Sequence, residues 1–199
     1  MNKIFGIGWA KTGTKTLGEC FRILGFKHQS TRLDLVKELE KGDLNKIIKI
    51  AKRKETFEDW PWTILYREMD QFFPDSKFIL TYRDPDNWLK SYLNMLDYEG
   101  KASNHINRIR RYLYRLPFPN VTGDELKRRY IEHFNQVHEY FSNKSDSLLV
   151  VNWENGDGWE EICNFIDLPI PNKPFPHSNR GVYNKNSIRY LIKKITRII

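Results

Sequence analysis

Residues Gly8-Trp9-Ala10-Lys11-Thr12-Gly13-Thr14-Lys15-Thr16 constrain this chain more than any other stretch. A short apolar run, residues 4–8, leads into them. A helical pattern, residues 14–24, leads out, with Leu17, Cys20, Phe21 and Leu24 on one face. Gly25 suits the end of that helix. A strand that enters a glycine loop and opens a helix can turn several backbone N–H groups toward one anion. The helix N-terminus adds its partial positive charge. Lys11 can reach the same anion from inside the loop. A continuous apolar run also reads as a buried parallel strand, which requires a sheet covered on both faces.

The rest of the chain repeats this alternation. Residues 31–41 and 44–53 read as surface helices, 55–60 as a short strand, and 61–73 as a helix with Pro61 in its first turn. KFILTY (residues 77–82) is the clearest strand. Asp84-Pro85 then caps a helix running to residue 97. Helices at 104–115 and 125–141 flank the loop 116–123. SLLVVN (147–152) is another buried strand, and 158–166 is an amphipathic helix. The loop 169–184 holds four of the nine prolines. Ser187 caps a final basic helix, 187–199. The expected fold is α/β: a three-layer arrangement with a parallel β-sheet flanked by helices. With 199 residues, 40% of them hydrophobic, one domain spanning 1–199 is expected. Such sheets bind ligands at the carboxyl ends of their strands. That rule selects residues 8–16, 58–60, 83–91 and 153–155.

A net charge of +8 suits an anionic ligand, although the count alone also describes a solvated basic surface. No run approaches the ~20 apolar residues of a membrane span. The first apolar run is too short for a signal-peptide core. Two cysteines, Cys20 and Cys163, make no disulfide framework and read as buried thiols. A cytoplasmic protein is the expectation. The basic residues form no recognised nucleic-acid motif, so no nucleic-acid partner is expected. In helix 187–199, Arg189, Lys193, Lys194 and Arg197 oppose an apolar face. That helix could pack on the core or rest peripherally on an anionic bilayer.

The nucleotidase pattern G-x-x-x-x-G-K-[ST] matches at Gly8 and Gly13 but fails next, where Thr14 and Lys15 stand. The hydroxyl that would hold Mg²⁺ is not in its place, which argues for a donor handled without a metal. Lys11-Thr12-Gly13-Thr14 resembles the Lys-Ser/Thr-Gly-Thr signature of the P-loop sulfotransferases. The resemblance implies that this loop, with Lys15 and Thr16, grips the 5′-phosphosulfate of 3′-phosphoadenosine 5′-phosphosulfate (PAPS). The product would be 3′-phosphoadenosine 5′-phosphate (PAP), and no metal is implied. The family's second signature is a strand, an Arg, and a helical Ser eight residues on. Arg83 and Ser91 after KFILTY fit it, which implies a 3′-phosphate grip. A planar guanidinium at a strand end can bind phosphate oxygens bidentately. Further similarity runs through Phe57-Glu58-Asp59-Trp60-Pro61, Glu68, Phe73-Pro74, Trp159-Glu160 and residues 174–179, and so covers residues 3–180.

Sulfuryl transfer needs the acceptor deprotonated, the sulfuryl oxygens held in line, and the leaving phosphate neutralised. Lys11 and the loop serve the last two needs. The resemblance places an acid at Asp59 as general base, with Glu58 as its rival one residue earlier. The other role open to Asp59 is capping a helix at Pro61. Proximity to Lys11 predicts a lowered pKa for Asp59. His177 lies in the proline-rich loop that resembles the segment closing over the nucleotide, where Arg180 could add a 3′-phosphate contact. Trp9, Trp60, Trp62 and Trp88 could line the pocket or fill the core. The acceptor stays open among small molecules, lipids and carbohydrates bearing a hydroxyl or amine. Two other classes compete: a P-loop nucleotide kinase or other phosphotransferase, and a non-catalytic nucleotide-binding or membrane-associated module.

Overall fold

A computed structural model of the chain describes residues 2–177. In chain order the regular elements are β1 (Ile4–Gly6), α1 (Thr14–Ile23), β2 (His28–Gln29), α2 (Val36–Glu40), α3 (Asn45–Arg53), β3 (Thr56–Glu58), α4 (Tyr66–Phe72), β4 (Lys77–Thr81), α5 (Pro85–Glu99), α6 (Asn104–Tyr114), α7 (Gly123–Phe141), β5 (Leu148–Val151) and α8 (Trp159–Ile166). The strands form one parallel sheet in the order β2-β3-β1-β4-β5.

Side chains of a strand alternate between the two faces of its sheet, and each face here has its own core. Phe5, Phe57, Phe78 and Leu80 pack against α2, α3, α4 and α7 through Leu39, Ile47, Met69 and Phe141. Ile4, Ile79 and Val151 pack against α1 and α8 through Leu17, Phe21, Ile162 and Cys163. Helix, sheet and helix therefore make the three layers, as the strand and helix alternation predicts. Cys20 and Cys163 are free and buried between α1, α8 and the sheet. Burial pushes the Cys20 thiol up to about 12. A further core, built on Trp9, Trp88, Tyr92, Leu113, Tyr114 and Tyr130, joins α5, α6 and α7 beyond the end of β1. No described helix is long and apolar enough to cross a membrane.

Local signals hold the helix starts in place. Asp84 accepts from the N–H groups of Asp86 and Asn87 at 3.0 Å, and Pro85 follows it. Thr122 and Glu125 close a capping box on α7.

Two expectations need correction, and one strand was not anticipated. Residues 61–73 are not one helix: a 3₁₀ turn, Trp62–Ile64, precedes α4, which starts at Tyr66. Tertiary contacts set this turn. Thr63 Oγ1 donates to the Gly8 carbonyl at 3.0 Å, and the Trp62 indole is buried against Phe5 and Phe57. Residues 31–41 likewise divide into a 3₁₀ turn, Leu33–Leu35, and the short α2. Finally, β2 has no apolar run to announce it. It is two half-buried polar residues recruited by pairing with β3, where His28 Nδ1 meets Thr56 Oγ1 at 3.0 Å. Arg180 and the helix expected at 187–199 lie outside the described residues.

Candidate active site

Because β1 and β4 are parallel neighbours, their carboxyl ends emerge side by side. The first feeds the glycine loop and the second feeds Arg83. A hydroxyl pair ties the two exits together. Thr12 Oγ1 donates to the Trp9 carbonyl at 2.6 Å, so the Thr81 hydroxyl, 2.5 Å away, donates to Thr12.

The loop curls because Lys11 (φ 77°) and Gly13 (φ 95°) are both left-handed. Alternation of this kind turns successive N–H groups inward as an anion nest. No acidic residue stands in the first turn of α1 to offset its positive end. Two glycines are required by close approach. A Cβ on Gly8 would lie 1.9 Å from Thr81 Oγ1 and 2.6 Å from the Thr81 carbonyl. One on Gly13 would lie 2.3 Å from the Trp153 ring. Gly8→Ala is therefore expected to destabilise the fold by about 2–3 kcal/mol, through overpacking against backbone that cannot move aside. Thermal unfolding checks this. A melting temperature equal to that of the wild type would show that the two strand exits are looser than this contact implies.

Lys11, Thr12, Gly13, Thr14, Lys15, Thr16, Asp59, Arg83, Ser91 and His177 all line one cleft of about 1260 Å³. Burial lowers the Lys11 pKa to about 8, helped by the cations of Arg83 and Lys15. An ammonium so poised is stabilised by any anion that enters. The Arg83 main chain is fixed on both sides by one phenol. Its N–H donates to Tyr130 Oη at 3.0 Å, and Tyr130 Oη donates to its carbonyl at 2.7 Å. The Arg83 guanidinium pairs with Glu154, whose other oxygen accepts from Asn87 Nδ2 at 3.3 Å. Among the described residues, Arg83 Nε is buried with no acceptor. Trp153 Nε1, also buried without an acceptor among them, belongs to a side chain that lines the same cleft.

The two candidate carboxylates part company. Glu58 is fully buried and turned away from the cleft: Ser30 Oγ donates to its Oε1, and His28 Nε2 lies 3.5 Å from the same oxygen. The strand β3 ends at Glu58, and the left-handed turn of the next residue carries its side chain to the cleft. Asp59 is that residue. It sits at φ 66° and accepts from the Trp60 N–H at 2.8 Å and from the Thr31 hydroxyl. It caps no helix, since none begins at Pro61. Its pKa is raised to about 6 by burial first and the Glu58 charge second, against the lowering expected from Lys11. Desolvation outweighs the lowering by the Lys15 cation.

Of the histidines, His177 lines the cleft, while His133 is core. Burial holds the His133 imidazole down at about 4, with Nε2 2.8 Å from the Ile7 carbonyl. Trp9, Trp62 and Trp88 are buried in the core as well, and Trp60 reaches the cleft wall.

Several cleft residues carry no motif. Tyr92 and Tyr114 hydrogen-bond to each other, and burial pushes both phenols up, Tyr92 to about 12. Leu33, Met95, Ile106, Ile109 and Leu113 line the same cleft, as do Glu99 and Arg110, which pair with each other. Trp153 and Glu154 follow β5 directly, so the strand-end rule marks their position but assigns them no role.

A family model described as a sulfotransferase domain matches residues 3–182. A protein of Aspergillus versicolor named Ava biosynthesis cluster protein M is 28% identical over 140 residues, covering 62% of this chain and 53% of that protein. The chain thus spans about half the length of this curated relative.

Proposed function

This chain belongs to the sulfotransferase domain family, and from that premise we propose that it moves a sulfuryl group from PAPS to a hydroxyl or amine acceptor. One observation carries the reading: two cationic strand exits, at Lys11 and at Arg83, open side by side on the same cleft. A nucleotide with anions at both its 5′ and 3′ positions suits that pair. The loop amides, Lys11 and the start of α1 suit the 5′ end. Arg83 and Ser91 suit the 3′ end.

In this proposal the acceptor oxygen gives its proton to Asp59 as its lone pair forms the new bond to sulfur. The bond between sulfur and the bridging oxygen of the 5′-phosphate breaks. That oxygen keeps the electron pair and leaves as part of PAP. Lys11 and the loop N–H groups meet the charge growing there. Asp59 lies near Tyr114 in the same cleft as the apolar wall residues, so the acceptor's reactive group would enter from that side. Wall residues such as Met95, Ile109 and Leu113 favour a small molecule or lipid with an apolar body over a bare sugar.

Titration calorimetry with PAP and with ATP plus Mg²⁺ tests the donor assignment. PAP should bind the more tightly without metal; tighter, Mg²⁺-dependent ATP binding would refute the reading. Arg83→Ala should weaken PAP binding by about 10- to 100-fold, the value of a charge-assisted phosphate contact. Equal PAP affinity in the two proteins would contradict the 3′ assignment.

A further inference from the structure

The Arg83 guanidinium meets a carboxylate from its own chain. Glu154 stands on the 3₁₀ turn Trp153–Asn155, just after β5. One of its oxygens accepts from Arg83 Nη2 and the other from Asn87 Nδ2. Arg83, Asn87 and Glu154 all line the cleft, as do Lys90 and Ser91 of α5. An anionic group is thus already seated on the donors that a phosphate at this strand exit would use.

We propose that Glu154 is an internal stand-in for the donor's 3′-phosphate, a residue that competes for Arg83 and so sets how tightly PAPS and PAP are held. The inference rests on the PAPS reading above. A phosphate arriving at Arg83 would face the Glu154 carboxylate as a like charge, so the two cannot share the site at low cost. Glu154 can leave. Its side chain is 38% exposed, and the turn that carries it ends at Gly156, a left-handed glycine at φ 96° whose Cβ position meets none of the described residues. Asn152 Oδ1 accepts from the Glu154 N–H at 3.0 Å, so the main chain can stay in place while the side chain swings. When PAP departs, the carboxylate returns and Arg83 keeps a partner. Arg83 is therefore never left as an unpaired cation, and the product is released more readily than from a bare guanidinium.

The test is equilibrium binding of PAP and of adenosine 5′-monophosphate, which lacks the 3′-phosphate, to wild type and to Glu154→Gln. The variant keeps the shape and loses the charge. PAP should bind Glu154→Gln roughly fivefold tighter, the worth of a partly exposed ion pair. The affinity for adenosine 5′-monophosphate should not change. In Arg83→Ala, adding Glu154→Gln should give no comparable gain. Equal or weaker PAP binding by Glu154→Gln would overturn the proposal and make Glu154 an orienting partner of Arg83 instead. An equal gain for both nucleotides would also overturn it, because that is a general charge effect. A wild type that binds no PAP would sink the donor reading itself, which is a separate failure.

Discussion

Lys11→Ala should lower kcat by about a thousandfold, the cost of removing a preorganised cation from a charge that develops during reaction. PAP affinity should fall far less, because the curled loop and the start of α1 remain. The basis is the position of Lys11, inside the loop at φ 77° and partly desolvated beside Arg83 and Lys15. Lys11→Arg should restore little, since a planar fork is longer than an ammonium and the loop is close-packed against Thr81. Steady-state turnover and PAP binding on the same preparations separate the two effects. A kcat within tenfold of wild type would remove Lys11 from the chemistry.

Asp59→Asn should cost about a hundredfold or more in kcat, the usual contribution of a positioned general base. Its sharper signature is in pH. Asp59 must be ionised to accept a proton, so activity rises as pH passes through about 6. Lys11 must be protonated, so activity falls as pH passes through about 8. The kcat/KM profile of the free enzyme should therefore be a bell between these values. Bound donor adds negative charge beside Lys11, which moves the basic limb of the kcat profile upward. In Asp59→Asn the acid limb should vanish while the basic limb stays. An acid limb that persists in the variant would move the base to another group, with His177, which also lines the cleft, as the first to examine.

What could be read from sequence follows from how local each feature is. The glycine loop, Arg83 and Ser91 are each fixed by a strand and the turn that follows it, and short spacing carries that information. A parallel sheet places every strand exit on one edge, but the order β2-β3-β1-β4-β5, which makes the two exits neighbours, is long-range and was not legible in the sequence. Features made by distant partners did not show. Placing Asp59 and Lys11 on one strand edge suggests a lowered pKa for Asp59, while its burial and the charge of Glu58, which raise it, come only from the fold. The break before Tyr66 depends on a hydroxyl reaching Gly8, 55 positions away. Nothing in the sequence singles out Tyr92 and Tyr114, whose rings meet only where α5 and α6 come together. Glu154 lies 71 positions from Arg83, and no periodicity links them.

The indole of Trp153 fills the space where any side chain on residue 13 would stand, and the next residue is Glu154. The bend of the glycine loop is thus wedged by a residue whose neighbour pairs with Arg83 at the other strand exit. If the cleft holds PAP as proposed, a ligand fragment that settles at one exit would press on the same wedge. Its two halves, offered separately, need not contribute strengths that add up to the strength of the whole.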